Sequence, residues 1–259
     1  MQIEGSNIVV TGGAHGIGRG LAERFAAEGA ATVTVADLDG DAAAAAAEAI
    51  GGIAARVDVS DGAEVAALVD RVEREAGPID LFCSNAGILV IGNEQVEDDR
   101  WRHIFDVNVM AHVWAARSLV PLMVGRGNGY ILFTASAAGM LTQIGSAPYS
   151  VTKHAALAFA EWLAITYGDQ GLKVSALCPQ AVATNMTAGI DGGGVAGVDG
   201  MLSPADVADA VVAGLDDESF LILPHPEVLE YFRRKAADYD RWLSGMRRLQ
   251  ARFFGTVQP

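Results

Sequence analysis

The chain has 259 residues, 51% hydrophobic and 19% charged, and its 32 Asp and Glu against 18 Lys and Arg give a formal net charge of −14. That length and apolar content suit one large α/β domain with a substantial core. The acidic balance argues against nucleic acid or an anionic membrane as partner, since both require a basic face. No apolar run reaches membrane-spanning length by inspection. The start, "MQIEGSNIVV", lacks the basic region and long apolar core of a secretory signal. Cys83 and Cys178 each end an apolar run and are expected as buried, reduced thiols. A cytoplasmic enzyme is the expected class, with no metal site.

In chain order, "NIVVTG" (7–12) predicts a strand and "IGRGLAERFAAEG" a helix. "ATVTVAD" (31–37) and "DGDAAAAAAEAIG" repeat the pair, and the six alanines from Ala42 to Ala47 fit an ordinary surface helix. "GIAARVDV" and "GAEVAALVDRVEREAG" follow, then strands at "IDLFCSN" (79–85), "GYILFTAS" (129–136), "LKVSALCP" (172–179) and "SFLILP" (219–224). Strands apolar on both faces and separated by helices predict a parallel sheet covered on both sides. Residues 185–203 are glycine-rich without periodicity and are expected to form a mobile substrate loop. Residues 1–224 are therefore expected as one α/β domain and 225–259 as its helical extension. In that extension Leu229, Phe232, Ala236, Tyr239, Leu243 and Met246 fall at three- and four-residue steps.

The first strand runs into "TGGAHGIGRG", where glycines allow a tight turn that brings backbone N–H groups and a helix N-terminus against a pyrophosphate. Nineteen positions after Gly18, Asp37 ends the second strand. A carboxylate there accepts hydrogen bonds from ribose hydroxyls and repels a 2′-phosphate. Leu38 follows it instead of an arginine, and His15 rather than Arg or Lys precedes Gly16, so NAD is the expected cofactor. A helix-capping aspartate would also explain "ADLDGD". "TAS" ends the fifth strand at Ser136, and thirteen residues later Tyr149 and Lys153 share one face of a helix. A phenol has a pKa near 10, too high for a base at neutral pH. A neighbouring ammonium is expected to lower it.

Taken together, these motifs resemble those of the short-chain dehydrogenase/reductase family, from about Ile8 to Pro224. Thr11, Gly12, Gly16 and Gly18 match its glycine motif, with His15 and Ile17 inside it. Asp58 and Val59 match an adenine-contacting pair, and Asn85, Ala86 and Gly87 its Asn-Ala-Gly. Asn108 in "FDVNVMA", Ser136, Tyr149 and Lys153 match its catalytic residues. The resemblance implies a doubly wound Rossmann sheet of about seven strands. It also implies hydride transfer between a nicotinamide and a secondary alcohol or ketone, here a largely apolar small molecule. Tyr149 would move the hydroxyl proton and Ser136 would orient the reacting oxygen. Lys153 would bind the nicotinamide ribose, and Asn108 would hold a water leading to solvent.

Pro179, Val182 and Thr184 fit the family after the sixth strand, but Gln180 replaces its glycine. Gln180, with Ser136 and Ala138, is a candidate substrate contact; it could equally point away. A 3-oxoacyl reductase of lipid metabolism and a non-catalytic NAD-binding regulator are the alternative functions. The resemblance implies a homotetramer. The tail is expected to lie across a neighbouring subunit and wall its pocket, with packing on its own subunit as the alternative.

Overall fold

The computed structural model describes residues 1–255. Seven parallel strands form one sheet: β1 (Asn7–Thr11), β2 (Thr32–Asp37), β3 (Ile53–Arg56), β4 (Leu81–Ser84), β5 (Gly129–Thr134), β6 (Leu172–Leu177) and β7 (Leu221–Ile222). Their order, β3-β2-β1-β4-β5-β6-β7, reverses between β1 and β4, so a crevice opens there beyond the carboxyl ends of the strands. The expected fold class, a doubly wound parallel sheet with a helical extension, is the observed one.

Strand residues alternate between two cores, as the period of two requires. Val9, Phe82, Ile131 and Val174 stand in register across β1, β4, β5 and β6 and pack on one face. Ile8, Val10, Leu81, Cys83, Tyr130 and Leu132 pack on the other. The first face is covered by α3 (Gly62–Glu75), α5 (Ala111–Arg126) and α7 (Ala147–Tyr167), through Val65, Val69, Leu119, Met123 and Leu163. The second is covered by α1 (Gly16–Ala27), α2 (Gly40–Ile50) and α8 (Pro204–Asp216), through Leu21, Phe25, Ala43, Val207 and Val211. The alanine run is thus an amphipathic helix whose inner positions Ala43, Ala46 and Ala47 are buried. Asp39 caps it by accepting from Ala42 N–H at 3.0 Å.

α4 (Asp98–Phe105), one π-helical turn (Asp106–Met110) and α5 run on as a single helix. By length and composition Asp98–Arg126 could cross a membrane, which inspection of the sequence had not found. It is a core helix: Ile104, Ala115, Leu119 and Met123 pack inside, and its first turn carries Asp98 and Asp99.

The C-terminal extension departs from the expected single helical segment: it is two helices, α9 (Glu227–Ala237) and α10 (Tyr239–Phe254), broken at Asp238, which adopts extended backbone and caps α10. Most of its apolar stripe faces outward, with Leu229, Phe232, Tyr239 and Leu243 exposed. The face turned to the domain carries Val228, Tyr231, Lys235 and Trp242 instead. Lys235 is buried and donates to the Met140 carbonyl at 2.6 Å, pinning α9 to the end of α6 (Ala138–Leu141). Thr256–Pro259, part of the predicted tail, lie outside the described residues.

Candidate active site

Every sequence-predicted site residue falls at the carboxyl edge of the sheet or on the helices that overhang it. The turn after β1 needs its glycines. Gly16 has φ +51°, and a Cβ there would stand 2.9 Å from Thr184 Cγ2, so the glycine turn and the segment after β6 approach closely. A Cβ on Gly18 would collide with the Gly12 carbonyl oxygen. His15, the N-cap of α1, makes no side-chain cap. The N–H groups of Gly16, Ile17 and Gly18 are therefore left to an outside acceptor, as helix N-termini offer them.

Asp37, at the end of β2, accepts from Ala14 N–H at 3.0 Å and from Asp39 N–H at 3.2 Å, which fixes its carboxylate beside the glycine turn. Helix capping is the work of Asp39, so the competing reading of Asp37 falls away. Leu38 beside it is 58% exposed, a large apolar surface next to a candidate ribose site. Sequence inspection missed Arg56, which β3 sets in register with Asp37. Its guanidinium is turned to Glu64, 3.6 Å away. Asp58 accepts from the Ser60 hydroxyl and N–H, and these bonds hold its carboxyl below the usual range. Val59 packs against the core beside it.

Asn85 braces three strands. Its amide donates to the Thr11 carbonyl at 2.9 Å and accepts from the Thr134 hydroxyl at 3.0 Å. Thr11 Oγ1 in turn accepts from the N–H groups of Asn85 and Ala86. Gly87 follows; a Cβ there would lie 3.3 Å from Asn108 Oδ1 and 3.4 Å from Lys153 Nζ. Asn108 sits in the π-helical turn, a local widening that often marks functional sites. Its amide accepts from Ile88 N–H at 2.8 Å and donates to the Ile88 carbonyl at 2.9 Å. This side chain therefore braces the segment that follows β4.

Tyr149 and Lys153 lie one turn apart on α7, whose N-cap Ser146 accepts from Tyr149 N–H at 3.3 Å. Lys153 is buried, and its Nζ donates to the Thr134 carbonyl at 2.8 Å. Burial lowers its pKa to about 8. Nζ lies 5.6 Å from the centre of the Tyr149 ring. Burial raises the Tyr149 pKa above its ordinary value, opposed by a hydrogen bond with Ser136. Burial sets the direction here, where the sequence led to the expectation of a lowered phenol pKa. Ser136 Oγ accepts from Ala138 N–H at 3.0 Å.

These residues fit a dinucleotide. An ammonium has three donors, and the one protein acceptor of Lys153 among the described residues is the Thr134 carbonyl. A sugar diol would satisfy the others. The free N–H groups of α1 fit a pyrophosphate, and the Asp37 carboxylate fits the second ribose.

Tyr149, Ser136 and Ala138 open into a cavity of about 1070 Å³. Leu89, Ile91, Leu141, Ile144, Met186, Ile190 and Val198 line it, with Tyr231, Trp242, Met246, Leu249, Phe253 and Phe254 from the tail. The tail therefore lines the pocket of its own chain. Tyr231 donates to Asp199 at 2.8 Å, tying α9 to the glycine-rich segment, which is further held by a bridge between Val182 and Leu202. Gln180 lines the cavity as well: its N–H donates to His225 Nδ1 at 3.2 Å, and its Oε1 is buried with no protein partner among the described residues. Pro179 carries the carbonyl facing Ser136 Oγ, 3.4 Å away. His225 and the tail residues have no local sequence signature; only their distance from Tyr149 after folding reveals them.

The family model described as short chain dehydrogenase matches residues 6–192. The 1-deoxy-11-beta-hydroxypentalenate dehydrogenase of Streptomyces exfoliatus is 36% identical over 253 residues, covering 94% of this chain and 92% of that protein. The 3beta-hydroxysteroid dehydrogenase 2 of Eggerthella lenta is 31% identical over 196 residues, 73% of this chain and 75% of its own. A short chain dehydrogenase/reductase from Burkholderia phymatum, solved in complex with NAD, superposes with a TM-score of 0.84 at 28% identity, covering 93% of this chain and 96% of that one. With a motif set, a sheet order and a site that all agree, the chain belongs to the short-chain dehydrogenase/reductase family of nicotinamide-dependent oxidoreductases.

Proposed function

We propose that the protein is an NAD-dependent dehydrogenase that interconverts a secondary alcohol and its ketone on a largely apolar small molecule. The observation that carries this is the Tyr149 phenol and Ser136 hydroxyl opening into the apolar cavity, with the buried Lys153 ammonium one helical turn along. The relatives named for a hydroxypentalenate and a hydroxysteroid support an alcohol as substrate. Asp37 supports NAD over NADP, because a 2′-phosphate would meet its carboxylate while the guanidinium of Arg56 is engaged by Glu64.

When bound, the nicotinamide accepts or supplies the hydride. The first turn of α1 would hold the pyrophosphate, Asp37 the adenosine ribose and Lys153 the nicotinamide ribose. Val182 and Thr184 would border the nicotinamide. In the oxidative direction Tyr149 takes the hydroxyl proton as the carbinol carbon loses hydride. Ser136 donates to the reacting oxygen and fixes its position. Asn108 holds the Ile88 segment beneath Lys153. In reduction Tyr149, kept protonated by burial, is the acid. The cavity walls exclude water from the reacting carbon.

Leu122, Val151, Trp162 and Ile165 are exposed on α5 and α7, and this apolar surface supports a homotetramer built through those helices. The buried free thiols Cys83 and Cys178 suit a reducing, cytoplasmic setting. The deciding experiment is a screen of NAD reduction across cyclic, terpenoid, aromatic and steroidal secondary alcohols. Turnover that needs Tyr149 supports the reading. Failure with every alcohol and every matching ketone, in protein that binds NAD, would sink it.

A further inference from the structure

The cavity wall carries a charge pattern that proton and hydride transfer do not use. Arg241, Arg248 and Arg252 of α10 line the cavity, at steps of seven and four residues that keep them on one face of the helix. Arg247, between them in sequence, does not line it. Arg234 of α9 joins the lining but pairs with Glu230 at 2.9 Å. None of the three α10 guanidiniums has a carboxylate within ion-pairing distance among the described residues. Arg248 donates to the Ser244 hydroxyl at 3.0 Å, and Arg252 lies over the Phe253 ring. The carboxylate among the lining residues is Asp238, which accepts from Arg241 N–H at 2.9 Å as the cap of α10.

In a chain of net charge −14, three cations without partners on one cavity wall are a local reversal of the protein's field. Such a reversal concentrates anions where the rest of the surface repels them. Guanidinium forks match a carboxylate in shape and donor number. The remaining wall is mainly apolar. The arginine row spans roughly 16 Å along the helix at about 1.5 Å per residue.

We propose that the substrate is an apolar hydroxy acid, with its carboxylate held by Arg248 and Arg252, one helical turn apart, and drawn in by Arg241, while its secondary hydroxyl meets Tyr149 and Ser136. This rests on the dehydrogenase reading above and narrows its substrate class. The three arginines are binding residues that select the anion and take no part in the proton transfer.

The test uses matched pairs, hydroxycyclohexanecarboxylate and lithocholate each against its methyl ester, in NAD reduction by the full chain. For the pair the cavity accepts, kcat/KM for the acid should exceed that for the ester by about tenfold, chiefly through KM, as a charge-assisted contact gives. High salt should shrink the ratio. The double variant Arg248→Gln/Arg252→Gln should bring it towards one by raising the KM of the acid, and Arg247→Gln should leave it as it was. Esters turned over as well as acids, or a ratio indifferent to the arginine changes, would overturn the anion site and leave the dehydrogenase reading standing. Calorimetric binding of the same pairs to Tyr149→Phe protein loaded with NAD separates the two. Arginine-dependent preference for the acid there, with no turnover of either form by the unmodified enzyme, would support the anion site and overturn the oxidation.

Discussion

The two sides of the crevice are built by different means. The cofactor side, from β1 to β4, is made of backbone: glycines at tight turns, free N–H groups at α1, and Asn85 bonded into three strands. The substrate side is made of side chains from segments far apart in the chain, with Ile91, Leu141, Met186, Tyr231 and Phe254 meeting around one cavity. Backbone geometry is demanding about residue type at each position, whereas an apolar wall accepts many solutions of similar volume. The first side should therefore fail sharply under small changes, and the second should shift its specificity.

The largest effect belongs where the two sides meet. Tyr149→Phe removes one hydroxyl and should lower kcat by about a hundred- to ten-thousand-fold, the usual weight of a positioned proton-transfer group. NAD affinity should hold, since the cofactor contacts proposed above belong to other residues. In the unmodified enzyme, alcohol oxidation should climb as pH rises, because the base is the phenolate and burial raises its pKa. Ketone reduction should fall at alkaline pH as Lys153, with a pKa lowered to about 8, loses its charge. Oxidation that falls as pH rises, together with reduction that climbs, would remove Tyr149 from the acid–base role.

On the cofactor side, Gly18→Ala puts a methyl group into the Gly12 carbonyl, a backbone atom that cannot swing away. Overpacking of this kind costs about 1–3 kcal/mol. Thermal unfolding should show that loss, with NAD affinity reduced in parallel. On the substrate side, Trp242→Ala should raise KM for the best alcohol by about tenfold, in proportion to apolar contact removed, while NAD affinity stays unchanged. If Trp242→Ala weakened NAD as much as substrate, the division between the two sides would be false.

The same division explains what could be read from the sequence. Gly12, Gly16, Gly18, Asn85, Ser136, Tyr149 and Lys153 were legible because backbone approach and proton transfer restrict the residue type at fixed spacing. Most of the strands were legible because the two cores alternate along them. In the tail, Leu229, Phe232 and Leu243 form the legible apolar stripe and are exposed, while the face buried on the domain includes Lys235. A lysine whose ammonium finds the Met140 carbonyl buries its alkyl stem like an apolar residue, and no periodicity rule registers that. The break at Asp238 was missed for a similar reason, since one aspartate inside a helical pattern reads as surface until its carboxylate is seen capping α10. The direction at Tyr149 was not legible, because it is set by burial, a property of the folded chain alone.

The smallest expected effect lies at the far end of the cofactor side, where sequence neighbours mislead. Asp37 was read with Leu38 as its company, but across the sheet its partner in register is Arg56. With Glu64 holding that guanidinium at 3.6 Å, the local field at Asp37 stays negative, and NAD should be preferred. Asp37→Ala removes both the ribose acceptor and the repulsion, so it should narrow the NAD preference by about tenfold, mostly by weakening NAD. Adding Glu64→Ala frees Arg56, and the double variant should then gain affinity for NADP over the single one. The Glu64 carboxylate also accepts from Asp58 N–H at 2.8 Å, so thermal unfolding must accompany the binding measurements. Equal NADP affinity in the single and double variants, both folded, would show that Arg56 stays out of reach of the 2′-phosphate and that Asp37 alone sets the preference.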